Sequence, residues 1–540
     1  MRLIRAVIVH GLDKFLFVFD FCRRFADLAD SDPIVLTWKA MLDKKLTCEH
    51  LDAGVTQISL PEGLKWFFEF REPSLLARAC APLLFDRVLS LQSMFRPKTI
   101  GVLLTGSPGI GKSWFLMYTM YRLAAEPSVP TIILHSAKRA AAHWFRPDGT
   151  VATNSNPHGE DLARISDEKS WYLFDANENE IECFPIEAFT LVASSPNRRH
   201  YKGFKKQMGT VKLCMPPWTL DELLAVKHLF FYIAADLATE NRGKGEEEKR
   251  SEVDVVRERY EMAGGIPRTV FTTANEYGSF LRNQSNQSSY LSFDGISDLL
   301  TSNVICDEGG NRLSHAIVKN ELGDDDNGRF VVVKLSFISK SVAKLFLQAK
   351  YGTAAAGYRD AMRSALSWHP AAGGQIFEAG FHKLVELGCA VKLRCVTVNN
   401  GKRVATLDLD VEKIKYRQCA NPESEAKSAL KEGLNYYVVP ESPRHAFIDS
   451  ILVTGGAVWC IQVTVASQRK DFSDEKLQAY FRENFGDTSN VRFLFVVPSL
   501  EHFKAPSSYY LAEFNFSENE RQPPIQFSGG ASSSVEPPQV

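Results

Sequence analysis

The sequence predicts a multi-domain α/β chain, and three observations carry that prediction. The apolar run Ile100-Gly-Val-Leu-Leu-Thr105 passes through a glycine-rich octet into Trp114–Ala125, a segment free of Gly and Pro. That is strand, loop and helix in immediate succession. Four more short apolar runs follow, at Thr131–His135, Trp171–Phe174, Thr190–Ala193 and Val211–Met215. Helical or loop segments separate them, which is the alternation of a parallel three-layer sheet. A second α/β pattern begins near residue 366. It has a helix running from Gly374 through Glu386, two apolar runs joined by Gly455-Gly456, a helix over Asp474–Glu483 and a strand over Val491–Val497.

The octet is Gly106-Ser107-Pro108-Gly109-Ile110-Gly111-Lys112-Ser113, and it fits the phosphate-binding pattern G-x-x-x-x-G-K-[ST]. Glycines let the loop fold closely around phosphates, so that successive N–H groups and the helix N-terminus face the anion. In this pattern Lys112 reaches the terminal phosphates and the Ser113 hydroxyl binds Mg²⁺. A nucleotide-binding P-loop NTPase core, with ATP or GTP and Mg²⁺ as cofactors, is therefore expected.

At 540 residues the length corresponds to about three to four domains. A hydrophobic fraction of 45% and a charged fraction of 24% are ordinary for soluble globular chains, so each domain can bury a core. The net charge of −1 excludes a global basic field, and a DNA partner would have to be held by a local patch. The ten cysteines are scattered without a C-x-x-C pair, which reads as free thiols rather than a disulfide framework or structural metal. The first twenty residues are apolar but broken by Asp13, Lys14 and Asp20, with no clear signal peptide. No segment reaches the roughly 18 unbroken apolar residues of a membrane span, so a soluble protein without a membrane partner is expected.

The expected organisation is a mostly helical region at 1–95, the P-loop core at 96–215 and a helical lid at 216–290. A connecting domain at 291–365 and a second α/β domain at 366–516 follow. In the lid, Thr219-Leu-Asp-Glu222 reads as a capping box opening a helix. The polar run Asn283–Ser289 reads as a linker. The tail 517–540, rich in Pro, Ser and Gly, reads as disordered.

Within the core, Trp171-Tyr-Leu-Phe-Asp175 resembles a Walker B strand, with Asp175 placed to hold Mg²⁺ opposite Ser113. The residue after it is Ala176 and the nearest carboxylate is Glu178, so the adjacent acid that activates water in many hydrolytic members is missing. The next strand runs into Ser194-Ser-Pro-Asn197-Arg-Arg199, where Ser194, Ser195 or Asn197 suits a γ-phosphate sensor. Arg198 and Arg199 read either as an arginine finger or as a solvated basic loop. Gly264-Gly-Ile-Pro-Arg268 reads either as a plain turn starting a helix or as the place of a lid arginine, Arg268, that senses nucleotide.

In the C-terminal pattern, Asp449 and Gln462 interrupt apolar strands, and buried polar side chains need a partner. The series of helix, hairpin, helix and strand resembles the restriction-endonuclease-like core, in which a carboxylate and a second oxygen ligand bind Mg²⁺ and a nearby lysine positions water. Glu378, Asp449 and Gln462 are the candidate catalytic residues, with Asp449 and Gln462 on the metal. Thr464 stands where the lysine is expected, and Lys470 is the candidate to replace it, with Arg469 beside it. The alternative is that Asp449 and Gln462 only satisfy backbone groups in a packing domain.

Together these motifs resemble the Crinkler effectors of oomycetes and fungi and the related trypanosomatid retrotransposon hot spot proteins. The resemblance runs through Leu104–Ser113, Ser194-Ser-Pro-Asn197 with Lys202-Gly-Phe-Lys205, Met215–Leu223, Arg259-Tyr-Glu with Gly264–Arg268, and Ser314-His315 with Leu335-Ser-Phe337. It continues through Gln375–Glu378, Asp449 and Gln462-Val-Thr464. It implies a P-loop NTPase joined to a restriction-endonuclease-like domain, acting on DNA and meeting host nuclear proteins after secretion to the host nucleus. Neither a ubiquitin-like header nor a Leu-Phe-Leu-Ala-Lys-type translocation motif is seen at the N-terminus, which leaves an intracellular member open. Two functions follow: an ATP-controlled Mg²⁺-dependent nuclease, or a non-catalytic nucleotide-switched interaction protein built on a degenerate nuclease scaffold.

Overall fold

The computed structural model describes residues 25–516, apart from 68–73, 96–100, 139–140, 177–182, 196–203, 205–209, 246–248, 303–315, 323–329, 390–391, 400–401, 411–413, 442–447, 467–473, 487, 501–502, 504–509 and 515. The tail 517–540 lies outside these residues. The chain divides into two compact units, Met1–Gln287 with Asp298–Ser339, and Ser288–Ser297 with Lys340–Val540. The expected connecting segment 291–365 is thus shared between the two units.

In the first unit, β1 (Ala26–Asp27) precedes a three-stranded antiparallel sheet of β2 (Thr47–His50), β3 (Thr56–Ser59) and β4 (Ser74–Ala77). Helices Pro33–Leu42 and Cys80–Phe95 flank that small sheet in sequence. The main sheet is built from β5 (Gly101–Thr105), β6 (Ile132–Ser136), β7 (Ala141–Phe145), β8 (Val151–Asn154), β9 (Trp171–Asp175), β10 (Phe189–Ala193) and β11 (Val211–Cys214). Its order is β1-β8-β7-β6-β9-β10-β5-β11.

The five strands β6-β9-β10-β5-β11 are parallel, and they are the five apolar runs read from the sequence. β5, β6 and β10 are buried along their whole length, as a sheet covered on both faces requires. The antiparallel extension β7, β8 and β1 was not foreseen, because Ala141–Phe145 and Val151–Asn154 are short and their apolar runs are interrupted by His143, Thr153 and Asn154. A parallel sheet with helices, in which the P-loop strand β5 lies between β10 and the edge strand β11 and β10 separates it from β9, is a P-loop NTPase fold.

Helices follow over the segment expected to form a lid: Leu220–Val226, Phe231–Glu240, Glu252–Ala263, Pro267–Val270 and Ala274–Tyr290. The Thr219 capping box forms as expected, with Thr219 Oγ1 accepting from the Glu222 amide and Glu222 Oε2 accepting from the Thr219 amide. The polar run 283–289 is helical, inside Ala274–Tyr290, rather than a linker, although the division between the two units falls within it, between Gln287 and Ser288. Polar side chains serve a helix when they find buried backbone partners, and Gln284 Nε2 donates to the carbonyls of Met262 and Ala316. A hairpin of β12 (Val318–Leu322) and β13 (Val332–Phe337) completes the unit.

The second unit is a mixed eight-stranded sheet. Its strands are β14 (Lys392–Asn399), β15 (Lys402–Asp410), β16 (Lys415–Cys419), β17 (Tyr436–Pro440), β18 (Ser450–Thr454), β19 (Ala457–Val463), β20 (Val491–Val497) and β21 (Tyr510–Phe514). The order is β15-β14-β21-β20-β19-β18-β17-β16. The β18–β19 hairpin turns on Gly455 and Gly456, both at positive φ, as a two-residue connection demands. Alternation splits the sheet's faces. Val438, Ile451, Phe493 and Phe495 form one core with Leu477 and Phe481 of the helix Asp474–Phe485. Tyr437 and Phe514 meet Phe377 and Phe381 of the helix Pro370–Glu386 instead.

Candidate functional site

The P-loop leaves β5 and enters the helix Lys112–Ala124. Gly109 sits at φ +81°, and a Cβ there would come within 2.9 Å of the Arg268 Cβ. The position therefore needs glycine both for its backbone and for the close approach of Arg268. Gly111 caps the helix without a side-chain hydrogen bond, so no side chain competes with an anion for the first helical amides.

Lys112 is buried, and its Nζ donates to the carbonyls of Gly106 and Ser107, both at 2.8 Å. Burial pushes its pKa down to about 8, with the Arg268 charge adding to the depression and Asp175 opposing it. Ser113 Oγ donates to Asp175 Oδ1 at 2.8 Å, so the two candidate Mg²⁺ ligands meet as the sequence predicts. Burial raises the Asp175 pKa to about 6, against the Ser113 hydrogen bond and the Lys112 charge.

These groups line a cavity of about 1030 Å³ that also takes in Pro108, Ile110, Ser194, Ser195 and Arg268. Ser194, at the end of β10, is buried and its amide donates to the Leu104 carbonyl, which sets it beside the P-loop strand. Asn197, Arg198, Arg199 and Glu178 lie outside the described residues. Phe230 and Phe271, which also line the cavity, stack at 4.1 Å with an interplanar angle of 3°.

Two residues that sequence reasoning missed tie this site together. Trp218 Nε1 donates to the Ile110 carbonyl at 3.0 Å, and the Trp218 amide donates to the Gly265 carbonyl at 2.9 Å. One tryptophan thus joins the P-loop to the turn that carries Arg268. Arg78 donates to both Glu222 carboxylate oxygens and to the carbonyls of Pro216 and Pro217, and its guanidinium lies 4.9 Å from the Trp218 ring centroid. The only sequence signal was Trp218 within Met215-Pro-Pro-Trp, since Arg78 and Glu222 are 144 residues apart.

In the second unit, Glu378 and Asp449 converge on a residue that was not anticipated, Lys340. Lys340 Nζ lies 2.8 Å from Glu378 Oε2 and 3.0 Å from Asp449 Oδ1. The second Asp449 oxygen accepts the Val463 amide at 2.8 Å. Burial alone would lower the Lys340 pKa, but the Asp449 and Glu378 carboxylates outweigh it and hold the ammonium above the usual lysine range. Gln462 is buried on β19, one residue before Val463. Lys470 and Arg469 lie outside the described residues. Next to the cluster Ser450 Oγ donates to Tyr437 Oη, which lies 2.7 Å from His382 Nδ1. Burial lowers the His382 pKa to about 4.

Among the described residues, no group of three or more His, Cys, Asp or Glu side chains is arranged to hold a metal, and no helix is long and apolar enough to cross a membrane. The Ser113–Asp175 pair offers two hard oxygen donors at the mouth of a phosphate loop and fits Mg²⁺ completed by phosphate and water oxygens. Between Glu378 and Asp449 the Lys340 ammonium already bridges the two carboxylates.

No family profile matches the chain, and no curated protein is similar to it. Among solved structures the chain is similar to the Holliday junction branch migration motor RuvB of Thermotoga maritima, at 13% identity over 61% of this chain and 92% of that one, with a TM-score of 0.22. An arginine-to-alanine variant of that motor aligns at 14% identity over 62% and 93%, with a TM-score of 0.21.

Proposed function

We propose that the first unit binds a Mg²⁺–nucleoside triphosphate, ATP or GTP, and hydrolyses it slowly. The observation that carries this reading is the convergence of Lys112, Ser113, Asp175, Ser194 and Arg268 on one cavity at the P-loop. Lys112 and the loop amides hold the phosphates, while Ser113 and Asp175 hold the metal. Bound Mg²⁺ would offset negative charge on the phosphates. Arg268 reaches the loop from the lid, so the lid has a direct stake in which nucleotide is present. Ala176 after Asp175 leaves the described site without an adjacent carboxylate to activate water, which is the reason for expecting slow turnover. Purified full-length protein should release phosphate from Mg²⁺–ATP or Mg²⁺–GTP above a Lys112→Ala background. Equal rates in the two proteins would refute it.

For the second unit we infer a nuclease-like scaffold used for binding rather than cutting, in keeping with a Crinkler-like switch protein that meets DNA or host nuclear proteins. Glu378 on a helix, Asp449 before β18 and Gln462 on β19 support the scaffold. Lys340 between the carboxylates, with Thr464 in place of the lysine, supports the non-catalytic form. Plasmid incubated with the protein, Mg²⁺ and ATP should stay intact. Cutting that disappears in Asp449→Ala would restore the nuclease reading.

A further inference from the structure

The cluster in the second unit is assembled by the fold, not by sequence proximity. Lys340 is the first residue of the helix Lys340–Tyr351, Glu378 lies midway along the helix Pro370–Glu386, and Asp449 directly precedes β18. The Asp449 side chain is 6% exposed and that of Glu378 14%. Two carboxylates held this close and this deep repel one another unless a cation sits between them. Mg²⁺ would do this with oxygens at about 2.0–2.1 Å in near-octahedral array. An ammonium does it with hydrogen bonds at the 2.8 and 3.0 Å seen here. The two solutions exclude each other, because the Lys340 nitrogen stands between the oxygens a metal would need. The lysine side chain itself keeps 43% of its surface exposed, so it can swing out without opening the core.

We propose that Lys340 is the resident cation of this site: its ammonium takes the place of a divalent metal, and a metal enters only when Lys340 is withdrawn. The comparison with a metal site rests on the nuclease-like reading of the second unit, whereas the charge cluster does not.

Mn²⁺ binding to the full chain, followed by electron paramagnetic resonance and by the thermal midpoint, tests the proposal with Lys340→Met, Lys340→Arg and Lys340→Met combined with Asp449→Asn. The wild-type chain and Lys340→Arg should show no Asp449-dependent Mn²⁺ binding and no midpoint shift. Lys340→Met should gain a Mn²⁺ site about tenfold tighter, or more, than any in the wild type, with a midpoint that rises on adding Mn²⁺. The Asp449→Asn change should remove both gains. Should Lys340→Met fold only when Mn²⁺ is present, that also supports the proposal. Asp449-dependent Mn²⁺ binding by the wild type overturns it. So does a Lys340→Met chain that neither gains Mn²⁺ nor is restored by it while Lys340→Arg is folded. Phosphate release at the P-loop, measured in the same preparations, reports separately on the nucleotide reading, and DNA cutting by the wild type reports on the scaffold reading.

Discussion

The indole Nε1 of Trp218 donates a hydrogen bond to the carbonyl of Ile110, the apolar residue inside the P-loop. The same residue's amide bonds the Gly265 carbonyl, and a Cβ on Gly265 would lie 1.9 Å from the Trp218 carbonyl oxygen. One residue thus ties down both the loop, through its indole, and the turn that carries Arg268, through its backbone amide. Trp218→Phe keeps most of the ring's packing and leaves the buried Ile110 carbonyl without this donor. That costs about 1–3 kcal/mol. Calorimetric titration with ATP should show weaker binding by roughly 5- to 150-fold, and unchanged affinity would show that the contact does not shape the loop.

Arg78 and Glu222 form an ion pair with side chains only 6% and 5% exposed. Removing one member strands a buried charge, so Arg78→Ala or Glu222→Ala should cost about 3–5 kcal/mol in denaturant unfolding. Arg78→Met with Glu222→Leu should recover only part of that loss. Arg78 also serves the Pro216 and Pro217 carbonyls, which no apolar residue can satisfy. Full recovery in the double variant would mean that the ion pair acts alone.

What could be read from the sequence follows from how local its physics is. β5, the octet and the helix after it were legible because glycine spacing and apolar runs are local signals, and so were β9 with Asp175 and the Gly455-Gly456 hairpin. The charge partners were not legible. Lys340 meets Asp449 across 109 residues and Arg78 meets Glu222 across 144. Each such lysine or arginine looks in sequence like any surface cation. The linker expected at 283–289 failed because composition cannot show that Gln284 points at buried carbonyls.

His135 on β6 is fully buried, with Nδ1 2.7 Å from the Tyr172 hydroxyl, and burial lowers its pKa to about 4. The unfolded chain takes up this proton near pH 6.5 and the folded chain only near 4. The folded state therefore holds its full advantage from this group above pH 6.5 and loses it as pH falls toward 4, by about 3 kcal/mol in all. His135→Phe should flatten the unfolding free energy of the first unit between those limits. Its absolute stability is a poorer guide, since Tyr172 loses a partner. An unchanged slope would show that this histidine does not set the acid sensitivity.

Asp175 has the opposite sign. Its carboxyl is raised from 3.8 to about 6, so the folded state binds the proton more tightly than the unfolded chain does. The contribution favours folding below pH 4, falls away as pH rises through 6, and leaves a half-buried, poorly solvated charge at neutral pH. Asp175→Asn keeps an oxygen to accept from Ser113 and removes that charge. The nucleotide-free protein should then gain up to about 3 kcal/mol at pH 7–8 and little at pH 4. Mg²⁺-dependent nucleotide binding should fall sharply in the same variant, because a neutral amide is a poorer partner for the ion than a carboxylate. Gain of stability together with loss of Mg²⁺-dependent affinity would identify Asp175 as a charge kept for its ligand at the fold's expense. A variant that is less stable at pH 7–8, or that binds Mg²⁺–ATP as the wild type does, would place Asp175 among ordinary core hydrogen-bond acceptors.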